Sequence, residues 1–175
     1  MSRRSVHTAA VVLAAFACGL GAAACGGGQS AEEREAAELA STRWQAGVPR
    51  WRADMLTTLN RISLMLGDSQ TVERLHKGNA HALAQLERLE ERLEGCSAEI
   101  RSLGAAPGAL EPVRTEALQT CRSLAKGADL VRDGVAAWQS GRRDTAINRA
   151  TTVLGNGQRG LDRVRTRLGT ALAGD

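Results

Sequence analysis

The sequence predicts an all-α fold, an up-down-up-down antiparallel four-helix bundle. Three observations lead there. Aromatic residues make up 2% of the chain, with no tyrosine and a single phenylalanine. A core must therefore come from Leu, Ala, Val, Ile and Met, a mixture that favours helices over sheets. Apolar residues recur at helical spacing from residue 31 to residue 172, with few strand-like alternations. Short stretches rich in Gly, Pro and Ser at 67–69, 104–108 and 140–141 cut this pattern into four arms. The arms run roughly 30 to 36 residues, about 45 to 54 Å each at 1.5 Å per residue. Matched lengths joined by short turns make a bundle the natural packing. The 175 residues suffice for one domain with a substantial core.

The first arm begins at "SAEERE", with Ser30 as N-cap and acids in the first turn, where the helix dipole favours them. Gly47, Val48 and Pro49 interrupt it. Gly can end one helix and Pro begin the next, so the arm is expected to be kinked or split there. A three-helix core with residues 31–46 detached is the alternative. The arm resumes through Met55, Leu59, Ile62 and Leu66, and Gly67–Ser69 turns the chain.

The second arm carries two seams spaced by sevens: Val72, Asn79, Leu86, Leu93 and Ile100, then Leu75, Ala82, Leu89, Cys96 and Leu103. Only Asn79 is polar, so the pattern reads as one continuous heptad helix. The charges of "LERLEERLE" are expected on its outside, as helical ion pairs worth about 0.3 kcal/mol each. After "GAAPG", the third arm runs through Leu110, Val113, Ala117, Cys121, Leu124, Ala128, Val131, Val135 and Trp138, with Pro112 in its first turn. The fourth starts near Asp144 and continues through Ile147, Leu154, Leu161 and Leu168, supported by Ala150, Val164 and Ala171; "GNG" at 155–157 is a point where it can bend.

Folding the second and third arms back about Pro107 brings Cys96 and Cys121 nearly level, each on its seam. A disulfide is the expected outcome. It would close a loop of about 25 residues and contribute roughly 3 kcal/mol. The competing reading, a metal pair, lacks a third ligand nearby.

The first 24 residues read as an export signal. "MSRR" gives a positive start, "AAVVLAAFACGLGAAA" is uncharged and mostly apolar, and three alanines precede Cys25. "AAAC" resembles the bacterial lipobox, with Ala23 and Ala24 matching and Ala22 standing where the pattern has Leu. The Ala-, Arg- and Gly-rich composition is similar to that of proteins from high-GC bacteria, and the whole reads as a lipoprotein of a high-GC Gram-positive envelope. The resemblance implies cleavage before Cys25 and a diacylglyceryl group on its sulfur, the one covalent attachment expected and no other cofactor. "SRRSV" resembles a twin-arginine signal, but a plain basic start is preferred. Residues 25–30 then form a flexible tether and 31–172 the bundle domain. The cysteine count agrees. Cys18 leaves with the signal, and a lipidated Cys25 leaves Cys96 and Cys121 as one pair, as an oxidising compartment favours. The expected location is the extracytoplasmic face of the cell membrane, with secretion as the alternative.

Motifs for chemistry are sparse. Glu73 and His76 have the ExxH spacing of di-iron bundles, but a second copy is missing. His76 and His81 are five apart, about 140° around one helix, so they do not chelate together. Met65 with His76 offers haem ligands in principle, and a metal- or haem-binding bundle is the alternative function. No phosphate loop, HExxH or GxSxG occurs, and no catalytic residue is assigned. The expectation is a non-enzymatic binding or scaffolding module. The formal charge is +4, and seven arginines against two aspartates fall between 142 and 172. That basic arm suits an anionic cell-wall polymer or an envelope protein, or it packs beside the Glu-rich first or second arm and balances it. Nucleic acid is not expected. The topology puts the anchor and the 104–108 turn at one end, and Trp138, Met65, Arg142 and Arg143 at the other, as the candidate partner site.

Overall fold

The computed structural model describes residues 30–137 and 143–173, and these are helical almost throughout, with no strand among them. Five α-helices and one short 3-10 turn make up the described chain. Helix α1 spans Ala31–Gly67, α2 Ser69–His76, α3 Ala80–Ser102, α4 Glu111–Ala137 and α5 Arg143–Ala173; the 3-10 turn is Gly108–Leu110. Helix α1 packs on α3 and α5, and α4 on α3 and α5, while α2 caps α1 and α3.

Capping explains where these helices start. Ser30 and Glu33 form a reciprocal capping box at α1: the Ser30 hydroxyl accepts from the Glu33 amide, and the Glu33 carboxylate accepts from the Ser30 amide at 2.7 Å. Residues 30–39 are all exposed, and Trp44 is the first buried side chain of α1. Three turns of α1, about 15 to 20 Å, therefore stand clear of the core.

Helix α1 passes through Gly47–Pro49 without a break. The expected split is absent for two reasons. Gly47 is a notch, since a Cβ there would overlap the Leu103 side chain of α3. Gln45 and Pro49 are both exposed, so the carbonyl that Pro49 leaves without an amide partner lies on the solvent side. Residues 31–46 are not a separate unit either: buried Trp44 donates its indole N–H to the Ala105 carbonyl at 3.2 Å and ties α1 to the turn before α4.

The second arm is two helices, not one. Lys77 caps α2, Gly78 adopts φ +68, and Asn79 caps α3 by accepting from the Ala82 amide. Asn79, the one polar seam position, is a cap, and its side chain competes with helix continuation. The other seam residues from Val72 to Ile100 are buried, with Leu103 half-buried.

Contacts between α3 and α4 run in opposite chain directions: Cys96 is disulfide-bonded to Cys121, and Glu90 meets Arg132. The same holds for α1 and α3, where Trp44 meets Ala105 and Asp54 meets Arg92. Helices α4 and α5 approach most closely. A Cβ on Gly127 would overlap Leu154, one on Gly157 would overlap Leu124, and one on Gly160 would overlap Thr120. The "GNG" stretch lies inside one continuous α5, so Gly157 serves close packing where a bend was expected. The core is aliphatic, with Met55, Ile62, Leu93, Ile100, Leu124 and Leu161 almost fully buried, plus Trp44 and Trp51 at the α1 side.

Candidate functional site

The break between α2 and α3 opens a groove against the end of α4. Leu75 of α2, Gly78 of the turn, Leu83 and Leu86 of α3, and Val135 and Ala136 of α4 line it, together with Glu87, Glu90 and Arg132. Its volume is about 430 Å³, within the range of small-ligand pockets. Most of the lining is apolar, and Leu83 is 37% exposed at its rim.

Glu90 is the unusual residue. "LERLEERLE" places it one helical turn from both Leu86 and Leu93, so it shares their face, and it is only 3% exposed. It does not decorate the outside of the helix, as its charged surroundings suggested. Its Oε2 accepts from Arg132 Nε at 3.3 Å, while its Oε1 is buried without a hydrogen-bond partner. An unpaired buried acceptor typically costs about 1–3 kcal/mol. Burial pushes the Glu90 carboxyl above its ordinary value, and the nearby Arg132 guanidinium offsets only part of that.

Arg132 is shared. Beyond Glu90, its Nη2 meets Glu94 at 2.6 Å and its Nη1 meets Asp129 at 3.4 Å. Three carboxylates thus meet one guanidinium, Glu87 adds a further acid to the lining, and the groove carries a negative field.

A second, wider cleft lies between α1 and α3, lined along its length by Arg61, His81, Arg88 and Arg92 together with Asp54. Arg92 bridges Asp54 and Glu99, and Leu64 is 72% exposed alongside. Its charged groups are exposed.

The residues singled out from the sequence fare unevenly. Met65 is 7% exposed and belongs to the core, because the face of α1 that carries Met55, Leu59 and Ile62 continues through it; it lines the basic cleft from below and is not a surface contact. Trp138 and Arg142 lie outside the described residues, as do Cys25 and the whole signal and tether up to residue 29; of Arg143 only the backbone, the first residue of α5, is described. Glu73 and His76 are exposed on α2. Lys77 bonds Glu73 at 2.7 Å and lowers its carboxyl below the usual value. His81 sits on α3, beyond the break, so the single-helix angle between the two histidines does not apply. Among the described residues no three His, Cys, Asp or Glu side chains gather as a metal site.

The last arm is partly balanced, though by a neighbour other than the acidic first and second arms. Arg163 and Arg167 of α5 meet Glu116 of α4 at 2.8 and 3.4 Å, and Asp162 meets Arg52 of α1. Glu116, like Glu90, is a buried acid that heptad reading does not flag. Both stand one turn from a seam residue, Glu116 from Val113, and that proximity is the signal available in the sequence. No helix among the described residues is long and apolar enough to cross a membrane.

No protein-family model, curated protein or solved structure matches the chain.

Proposed function

We propose that the protein is a lipid-anchored envelope protein that works by binding or scaffolding, built as an up-down-up-down four-helix bundle. The Cys96–Cys121 disulfide carries this reading. Such bonds persist in oxidising compartments, which a bacterial chain reaches by export. With that pair joined and Cys18 inside the signal, Cys25 is the remaining cysteine of the exported chain. Its position after three alanines and before a Gly-rich tether suits diacylglyceryl attachment. One lipid chain pair on a short tether holds a protein at the bilayer without a spanning helix.

The helical contacts support the bundle: each long helix touches two others, and α3 runs opposite to both α1 and α4. The exposed start of α1 then acts as a stalk that lifts the core from the membrane. The partner side is the far end, beyond the α1–α2 turn, where Arg142 and Arg143 fall in the sequence and suit an acidic envelope protein or anionic wall polymer.

Fractionating cells that express Cys25→Ala tests the anchor. The processed variant is expected in the soluble fraction or medium, and its retention in the membrane fraction would contradict the lipid. For the distal end, Arg142→Glu with Arg143→Glu is expected to abolish partner capture in a crosslinked pull-down. Undiminished capture would move the partner surface elsewhere.

A further inference from the structure

We propose that the groove between α2, α3 and α4 binds a small amphipathic cation, an apolar body carrying one protonated amine whose head meets Glu90. The proposal deepens the binding-module reading and names the ligand chemistry of one site on it.

Three independent features select this class. The walls are apolar, formed by Leu75, Leu83, Leu86 and Val135, and they suit a hydrocarbon body that leaves water. The polar end is a carboxylate 3% exposed, with one oxygen on Arg132 and the other buried without a donor. Buried polar groups almost always have a partner, and an ammonium seated in the groove supplies three donors. The surrounding charge is net negative, because Arg132 also serves Glu94 and Asp129 while Glu87 stands in the lining. An anionic head would meet repulsion there. A neutral one would gain the hydrogen bond without the charge, and hydrogen bonds to charged groups are the stronger kind.

The occupant is small. About 430 Å³ accommodates an amine of modest length and not a folded partner. Gly78 at the α2–α3 break forms one lip, so the site exists because the second arm is interrupted.

The test uses the processed Cys25→Ala protein, with the export signal removed, which is free of the detergent that a lipid anchor demands. Octylamine, 1-octanol and octanoate are titrated separately, followed by calorimetry and by amide shifts in heteronuclear spectra. Octylamine is expected to shift Gly78, Leu86 and Val135, and to bind about tenfold or more tightly than octanoate, with octanol between. Glu90→Gln, with its helical circular dichroism retained, is expected to bring the three within about twofold of each other. Equal binding of amine and carboxylate by the parent, shifts confined to other faces, or undiminished selectivity in Glu90→Gln would each overturn the proposal. Leu83→Arg provides a second variant at an exposed rim position, where folding is not at risk. It is expected to abolish octylamine binding, and unchanged binding would count against the site. The anchor is judged separately by the fate of Cys25→Ala in cells, so either result stands without the other.

Discussion

At the scale of single residues, buried carboxylates and glycine notches decide more than the seam pattern does. Glu90 is held proton-bound to a higher pH in the folded chain than its ordinary value of 4.5. The sign follows from linkage. The folded state binds more protons than the unfolded state between those two values, so the group's contribution to stability falls as pH rises through that window. Glu90→Gln removes the titration. Its stability relative to the parent is therefore expected to improve from about pH 4 to pH 7, read from urea midpoints; an unchanged difference would mean the carboxyl is not desolvated. The glycines of α5 give a paired prediction. A Cβ at Gly160 meets Thr120, a stiff β-branched side chain, whereas Gly169 has open space around it. Gly160→Ala is expected to cost about 1–3 kcal/mol by overpacking. Gly169→Ala is expected to gain up to about 1 kcal/mol in helix propensity. Thermal melts of the two variants should move in opposite directions. The glycine notches were not legible in the sequence, because a glycine's spacing does not reveal whether a neighbour fills the gap; the burial of Glu90 left only its place one turn from Leu86 and Leu93 as a signal.

At the scale of elements, periodicity read the helix faces well and the helix ends less well. Val72, Leu86, Leu93 and Ile100 are buried as their sevenfold spacing requires, and so are Val113, Leu124 and Leu161. The errors at helix ends all concern Gly, Pro and Asn. Gly47 and Pro49 looked like a break and lie inside a helix, while Gly78 and Asn79 looked like heptad filler and end one. The difference is tertiary. Gly47 lets Leu103 approach α1, and Pro49 loses a bond on a wet face. Gly78 takes a left-handed conformation that only a break uses. The candidate groove follows from that break, so it was not visible while the arm was read as continuous. The link between α3 and α4 was legible, since two cysteines on facing seams of a hairpin have few other outcomes. Cys96→Ala with Cys121→Ala is expected to lose about 3 kcal/mol of stability by the chain-entropy model, lowering the melting temperature by about 10 °C. A loss below about 1 kcal/mol would mean that packing alone fixes the hairpin.

At the scale of the whole molecule, location and surface chemistry meet. In the proposed anchored form, the exposed start of α1 lies between the anchor and the core, which leaves the opposite end of the core free. That end holds the α1–α2 turn and the groove beside Gly78. On the proposed anchoring, that end faces away from the membrane, and the groove lined by Glu90 is placed to sample amphipathic cations. The most direct test of the anchored-module account is the intact mass of the mature protein purified from its own host. The account predicts a chain that begins at Cys25, carries the added mass of a diacylglyceryl group on that residue, and is two hydrogen atoms lighter for the Cys96–Cys121 bond. An unmodified Cys25, or a chain beginning elsewhere, would contradict it.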